Sequence, residues 1–190
     1  MERNNILKNL TSDGESKIVF RRPDIGDGAQ IHALVKACQN LDLNSVYSYL
    51  LLCKHFSDTC MVAEEKGEVI AFLSGYILPG SEKVFFVWQV AVDERMRNRG
   101  LAKSLLAKAL KRESCKNCRF LETTITPENY ASMKLFRSLA AYLKAPLEEK
   151  ICFSKKHFGS EHHNDEYLFR IGPFDANQII VNEVNELWMI

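Results

Sequence analysis

Nothing in this 190-residue chain is long and apolar enough to span a membrane; the run Val84–Val92 falls far short of the roughly 20 residues that a helical span needs. An excess of charge is missing too. Lys and Arg number 25 against 24 Asp and Glu, so a net charge of +1 leaves no strong electrostatic pull toward nucleic acid or a membrane surface. The opening residues, Met1-Glu2-Arg3-Asn4-Asn5, lack the apolar core of a secretory signal, and residues 1–17 read as a polar lead-in. The expectation is a cytoplasmic protein. Cys115-Lys116-Asn117-Cys118 has no second C-x-x-C to complete a metal site. His162-His163 can be imagined beside it, but no metal is expected. Most of the six cysteines sit inside apolar patterns, where they behave as small hydrophobes rather than as a disulfide framework. Internal repeats and low-complexity stretches are absent.

What is present is ordinary globular material, 46% hydrophobic and 26% charged, enough for one domain with a full core. Residues 18–23 read as a short strand closed by Pro23. Asp27 is expected to cap a helix whose Ile31, Leu34, Val35 and Cys38 form one apolar stripe. Asn44 or Ser45 caps a second helix through Tyr49, Leu52 and Cys53. Residues 60–65 and 68–78 form a hairpin across Lys66-Gly67, and Val84–Val92 forms the next strand. A central helix, a strand over 119–125, a helix opened by Pro127, and strands near 151–153 and 167–171 complete the order. Hairpins first and a strand–helix–strand unit afterwards imply an α/β fold with a mixed, mostly antiparallel sheet and helices on both faces.

Between the strand Val84–Val92 and the central helix lies Arg97-Asn98-Arg99-Gly100-Leu101-Ala102. A strand ends, the backbone turns through a basic, glycine-containing loop, and a helix begins. That arrangement aims free N–H groups and the positive end of a helix dipole at one point, which suits a pyrophosphate. The bland alternative is a solvated basic loop between two packed elements.

This order, with R-x-x-G-x-A after the central strand and Asn129-Tyr130-Ala131-Ser132 leading to Leu135-Phe136 on a later helix, resembles the GNAT N-acetyltransferases over residues 18–172. The resemblance implies a GNAT-like fold in which the central strand splays from its neighbour. Backbone groups of Val90 and Val92 would then hold the pantetheine of acetyl-CoA. Arg97, Asn98, Gly100, Leu101 and Ala102 would wrap its pyrophosphate, and Asn129 would reach one of the two arms. It also implies a domain at 18–174, with 175–190 as an unassigned extension. Longer strings (Leu41-Asp42-Leu43-Asn44-Ser45, Phe86-Val87-Trp88-Gln89-Val90-Ala91-Val92-Asp93, Leu121-Glu122-Thr123-Thr124-Ile125-Thr126-Pro127 and Leu168-Phe169-Arg170-Ile171-Gly172-Pro173) resemble one family within that superfamily, the L-2,4-diaminobutyrate acetyltransferases of the ectoine pathway. The implied reaction is acetyl transfer from acetyl-CoA to the 4-amino group of the small diamine L-2,4-diaminobutyrate, the implied assembly a homodimer, and the implied setting the response to osmotic stress.

A primary amine with a pKa of about 10.4 is neutral in only about one molecule in a few thousand at pH 7, a deficit of roughly 4–5 kcal/mol for attack on a thioester. Within the resemblance Glu166 is the candidate base, acting directly or through a water, with His163 as neighbour or alternative. Asp42, Trp88 and Gln89 are candidates for substrate binding, together with Glu166 itself. An indole face attracts an ammonium by about 0.5–2 kcal/mol. Tyr47 is the third catalytic candidate, its hydroxyl expected to reach the site. Outside the resemblance each has a plain structural reading: a helix-flanking aspartate, a core tryptophan, an exposed acidic loop, a packed tyrosine. Two departures stand out. Phe136 occupies the place where many family members carry a tyrosine that protonates the leaving thiolate, and Asn98 replaces a common loop glycine. The competing functions are acetyl transfer to another small diamine or amino acid, and a non-catalytic acyl-CoA sensor.

Overall fold

The computed structural model describes residues 17–38, 41–159 and 164–179. Strand β1 (Val19–Arg21) leads through a short 3-10 turn into α1 (Gly28–Ala37) and α2 (Val46–His55). The hairpin β2 (Met61–Glu65) and β3 (Glu68–Ile77) is followed by β4 (Val84–Val92) and α3 (Leu101–Leu110). Strand β5 (Phe120–Ile125), α4 (Tyr130–Tyr142), β6 (Leu147–Phe153) and β7 (Glu166–Ile171) complete the fold. One sheet of seven strands runs in the order β1-β2-β3-β4-β5-β7-β6. Every neighbouring pair is antiparallel except β4 and β5.

Alternation along the strands sorts the core into two layers. Ile31, Leu34, Val35 and Cys38 at α1, with Tyr49, Leu52 and Cys53 of α2, pack on Val62, Val69, Phe72 and Ala91. On the other face Leu105, Leu106 and Leu110 of α3 and Phe136 and Leu139 of α4 meet Leu73, Phe85, Val87, Leu121, Phe169 and Ile171. Full burial of each such side chain stabilises by about 1.5–3 kcal/mol. Phe174, Ala176 and Ile179 belong to this second layer, so the chain keeps packing on the domain past residue 174.

Three local expectations are corrected. Asp27 does not cap α1 with its side chain; it is 4% exposed and accepts a fork from Arg21 (2.6 and 2.7 Å) and the Asp24 amide (2.8 Å). Arg21 also donates to Glu64 on β2 at 2.8 Å, so the start of α1 is tied to two strands. Burial alone would raise the Asp27 carboxyl, but the Arg21 hydrogen bonds and the Asp24 amide outweigh it and hold it below the usual carboxylate range. Pro127 does not open α4; the helix begins at Tyr130, and the Asn129 side chain caps it by accepting from the Ser132 amide at 3.1 Å. Strand β6 begins at Leu147, earlier than the expected start near 151. Ser45, one of the two candidates, is the cap of α2, accepting from the Ser48 amide at 3.2 Å.

Candidate functional site

Strands β4 and β5 pair only at Val84↔Phe120, Phe85↔Leu121 and Phe86↔Glu122, and then part. The rest of β4 keeps its antiparallel ladder to β3, with Ser74↔Gln89 through Ala71↔Val92 in regular register. The Gln89 amide donates to Ser74 Oγ at 3.1 Å and the Asp93 amide to the Ile70 carbonyl at 2.9 Å, both on the β3 side. Successive amides of a strand point to opposite edges, so those of Val90 and Val92 face the opening. Unpaired backbone groups at such an edge call for water or a ligand.

At the end of β4 the Asp93 side chain accepts from the Arg95 amide at 2.9 Å and pairs with the Arg95 guanidinium, which also reaches Glu68. This turns Arg95 away from the opening. Asn98 (φ 62°) and Gly100 (φ 76°) both take the left-handed conformation, which Asn tolerates and Gly adopts at no steric cost. Gly100 precedes α3 and offers no side-chain cap, so the first amides of the helix are left for an external acceptor. Val90, Val92, Arg97, Asn98, Gly100, Leu101, Ala102 and Asn129 all line one groove of about 690 Å³. Cys38 and Leu41 close one side, and Ser132, Lys134 and Leu135 of α4 the other. An edge of free amides running into an uncapped helix N-terminus fits an extended amide-bearing arm ending in a pyrophosphate. Phe136 is 3% exposed in the core.

Trp88 is an extra residue in β4: the register jumps from Ser74↔Gln89 to Gly75↔Val87, and the bulge leaves the indole 46% exposed. Gly75 is required there, because a Cβ would lie 2.7 Å from the Phe86 carbonyl oxygen. Gln89 is buried and spends both ends of its amide on the protein. Its Nε2 donates to the Asp42 carbonyl at 2.7 Å, and its Oε1 accepts from the Tyr49 hydroxyl at 3.3 Å. The loop carrying Asp42 is thereby pinned to Gln89 of β4, with Asp42 exposed and Tyr47, in the first turn of α2, 67% exposed.

Glu166 opens β7 next to the Ile125–Tyr167 pair, which by strand count stands level with Gln89. Two strand spacings, roughly 10 Å, separate them, and more where β4 and β5 diverge. Glu166 is half-buried and shares the sheet face of Arg170, because Phe169 and Ile171 point into the helical layer. His163 lies outside the described residues, as does His162. Cys115 and Cys118 are buried free thiols.

Two groups on this face were not singled out from sequence. Glu122, 7% exposed on β5, is ion-paired with Arg170, whose guanidinium lies 4.1 Å from the centre of the Phe120 ring. Tyr76 packs on Phe86 with ring centres 5.2 Å apart, and burial followed by the Glu122 charge raises its hydroxyl pKa. The available signal was a carboxylate inside the apolar strand Phe120–Ile125, which must find a partner.

The chain matches the family model described as "Acetyltransferase (GNAT) family" over residues 29–141. An L-2,4-diaminobutyric acid acetyltransferase from Bordetella parapertussis is 48% identical over 156 residues, covering 82% of this chain and 84% of that protein. Its counterpart from Chromohalobacter salexigens is 44% identical over 180 residues, covering 94% and 93%. Among solved structures, diaminobutyrate acetyltransferase EctA from Paenibacillus lautus, in complex with its substrate L-2,4-diaminobutyric acid and coenzyme A, superposes with a TM-score of 0.81 at 39% identity. That match covers 84% of this chain and 97% of the other. The chain belongs to the GNAT acetyltransferase family and, within it, to the L-2,4-diaminobutyric acid acetyltransferases.

Proposed function

We propose that this protein transfers the acetyl group of acetyl-CoA to the 4-amino group of L-2,4-diaminobutyrate, giving N4-acetyl-L-2,4-diaminobutyrate for ectoine biosynthesis under osmotic stress. The observation that carries this reading is the parting of β4 and β5, which leaves the Val90 and Val92 amides facing a groove that runs to the N-terminus of α3; Trp88, exposed at the β4 bulge, and the exposed Asp42 supply the aromatic and acidic groups a diamine calls for. The names borne by relatives at 48% and 44% identity supply the amine.

Acetyl-CoA contributes an acyl group activated as a thioester; the protein's own work is positioning and proton transfer. The Gly100–Ala102 backbone and Arg97 hold the pyrophosphate, and Asn129 keeps α4 in place against it. The Val92 amide holds the pantetheine arm, while the Val90 amide donates to the acyl oxygen as negative charge develops there. Asp42 and the Trp88 face bind the diamine's ammonium groups, Tyr47 closes over them, and Gln89 fixes the Asp42 loop. Glu166, directly or through a water and with His163 beside it, takes the proton of the attacking 4-amino group. With Phe136 in the core, the thiolate leaves unprotonated or takes its proton through water. The enzyme acts as a cytoplasmic homodimer. Exposed Ile151, Phe153 and Phe158, on and just after the edge strand β6, support a covered surface there.

The test is thiol release from acetyl-CoA with L-2,4-diaminobutyrate against a panel of other diamines and amino acids. A kcat/KM at least tenfold higher for diaminobutyrate is expected. Preference for another amine overturns the substrate, and coenzyme binding without turnover on any amine favours a sensor.

A further inference from the structure

Tyr49, in the first turn of α2, is completely buried. Its ring packs edge-on against Phe72 and His32, with ring centres 6.2 and 6.0 Å away, in the layer that holds Ile31, Val35 and Leu52. A phenylalanine would serve that packing equally well. The hydroxyl therefore has another use, because a buried tyrosine O–H must find partners.

Those partners lie on the loop that carries Asp42. The hydroxyl accepts from the Asn44 amide at 3.4 Å and donates to Gln89 Oε1 at 3.3 Å. Gln89 Nε2 in turn donates to the Asp42 carbonyl at 2.7 Å, so Asp42, Gln89, Tyr49 and Asn44 close a ring of hydrogen bonds around Leu43. Gln89 is itself fixed on β4, its amide donating to Ser74 Oγ at 3.1 Å. Residues 42–44 are neither helix nor strand and make no other backbone hydrogen bond among the described residues. Both contacts from the ring go to loop backbone, which leaves the exposed Asp42 side chain for a ligand.

We propose that Tyr49 is a positioning residue for the amine: its hydroxyl, shared between the Asn44 amide and Gln89, sets the path of residues 42–44 and with it the place of the Asp42 carboxylate. The proposal rests on the reading of Asp42 as a ligand of the diamine's ammonium groups. Tyr49 is 0% exposed, so it acts on the substrate only through the loop. A carboxylate on an untethered loop must be ordered each time an ammonium group arrives, and that ordering subtracts from affinity. The ring completes the ordering during folding. Gln89 stands between Trp88 and Val90 on β4, so the strand that offers an amide to the acyl oxygen also fixes where the amine's counter-charge stands.

Tyr49→Phe removes the hydroxyl and keeps the ring, and steady-state kinetics with each substrate varied in turn reads the result. The KM for L-2,4-diaminobutyrate is expected to rise about five- to tenfold, the size of one lost hydrogen bond. The KM for acetyl-CoA and kcat are expected to change by less than about twofold, a split that general loosening of the fold does not produce. Gln89→Leu opens the ring from the strand side and is expected to act in the same way. It carries the test should thermal melting show that Tyr49→Phe does not fold. Because Tyr49 acts through Asp42, adding Tyr49→Phe to Asp42→Ala is expected to raise the amine KM by less than about twofold further. Full additivity in that pair, or an unchanged amine KM in Tyr49→Phe beside a raised one in Asp42→Ala, overturns the positioning role and leaves Asp42 a ligand. An unchanged amine KM in Asp42→Ala overturns the reading of Asp42 itself, and the positioning role with it.

Discussion

Replacing Gly100 by valine separates the coenzyme's needs from the amine's. Gly100 sits at φ 76° and ψ 3°, directly before α3. A residue with a Cβ costs roughly 1–2 kcal/mol in that conformation, and a β-branched one more. If the backbone yields, the amides that open α3 turn away from the pyrophosphate; if it holds, two methyl groups crowd the mouth of the groove. Losing one amide contact to a charged oxygen is worth about 1.5–3 kcal/mol, which is about 10- to 150-fold in coenzyme affinity. Trp88, Asp42 and Glu166 lie on other elements, so the amine site is untouched. Steady-state kinetics with each substrate varied in turn, checked by thermal melting, is the assay. The apparent KM for acetyl-CoA is expected to rise at least tenfold and that for the amine less than threefold. Equal rises in a folded variant would refute the placement of the pyrophosphate.

Glu166→Gln keeps size and hydrogen bonding but removes basicity, so kcat should fall by about 10²–10⁴-fold. Partial recovery at high pH is expected as more free amine forms, and wild-type turnover would move the base to His163 or solvent. Trp88→Ala should chiefly raise KM for the amine, read in the same assay. Phe136→Tyr puts a hydroxyl into a site that is 3% exposed. Little gain in kcat and a loss of about 1–3 kcal/mol in urea denaturation are expected, whereas a large gain would show that thiolate protonation limits turnover. The Asp27 carboxyl is held below its unfolded value by Arg21 and Asp24, so its contribution to stability is full above the unfolded pKa. That contribution is lost as pH falls through the lower folded value. Urea midpoints measured from pH 7 to pH 3 should therefore fall less steeply in Asp27→Asn, whose stability at pH 7 starts about 1–3 kcal/mol lower.

Periodicity made most elements readable, because helices and strands that bury one face must repeat at 3.6 or 2 residues. Strand β6 escaped at its start. Leu147-Glu148-Glu149-Lys150 lies at the sheet edge and is mostly exposed, so no apolar alternation marks it. Asp27 read as a cap because its type and position fit one, but its true partner, Arg21, is a tertiary contact. Pro127 likewise marked a helix start, yet the Asn129 cap decides where α4 begins. The groove residues could be collected from sequence because they sit on one strand–loop–helix unit with a cap from the next helix. The Glu122–Arg170 pair could not. Its meaning depends on one strand buried beside another. The bulge that exposes Trp88 is equally invisible in a run that reads as a uniform apolar strand.

The central claim is that the site presents the 4-amino group, and not the 2-amino group, of diaminobutyrate to the thioester. The two amines differ mainly in their distance from the carboxylate, so the acylated nitrogen reports directly on how Asp42, Trp88 and Glu166 orient the molecule. NMR of the product formed from L-2,4-diaminobutyrate and acetyl-CoA reads this without reference to rate. The account predicts an acetyl group on the 4-amino nitrogen alone; acetyl on the 2-amino nitrogen, or a mixture of the two, would contradict it.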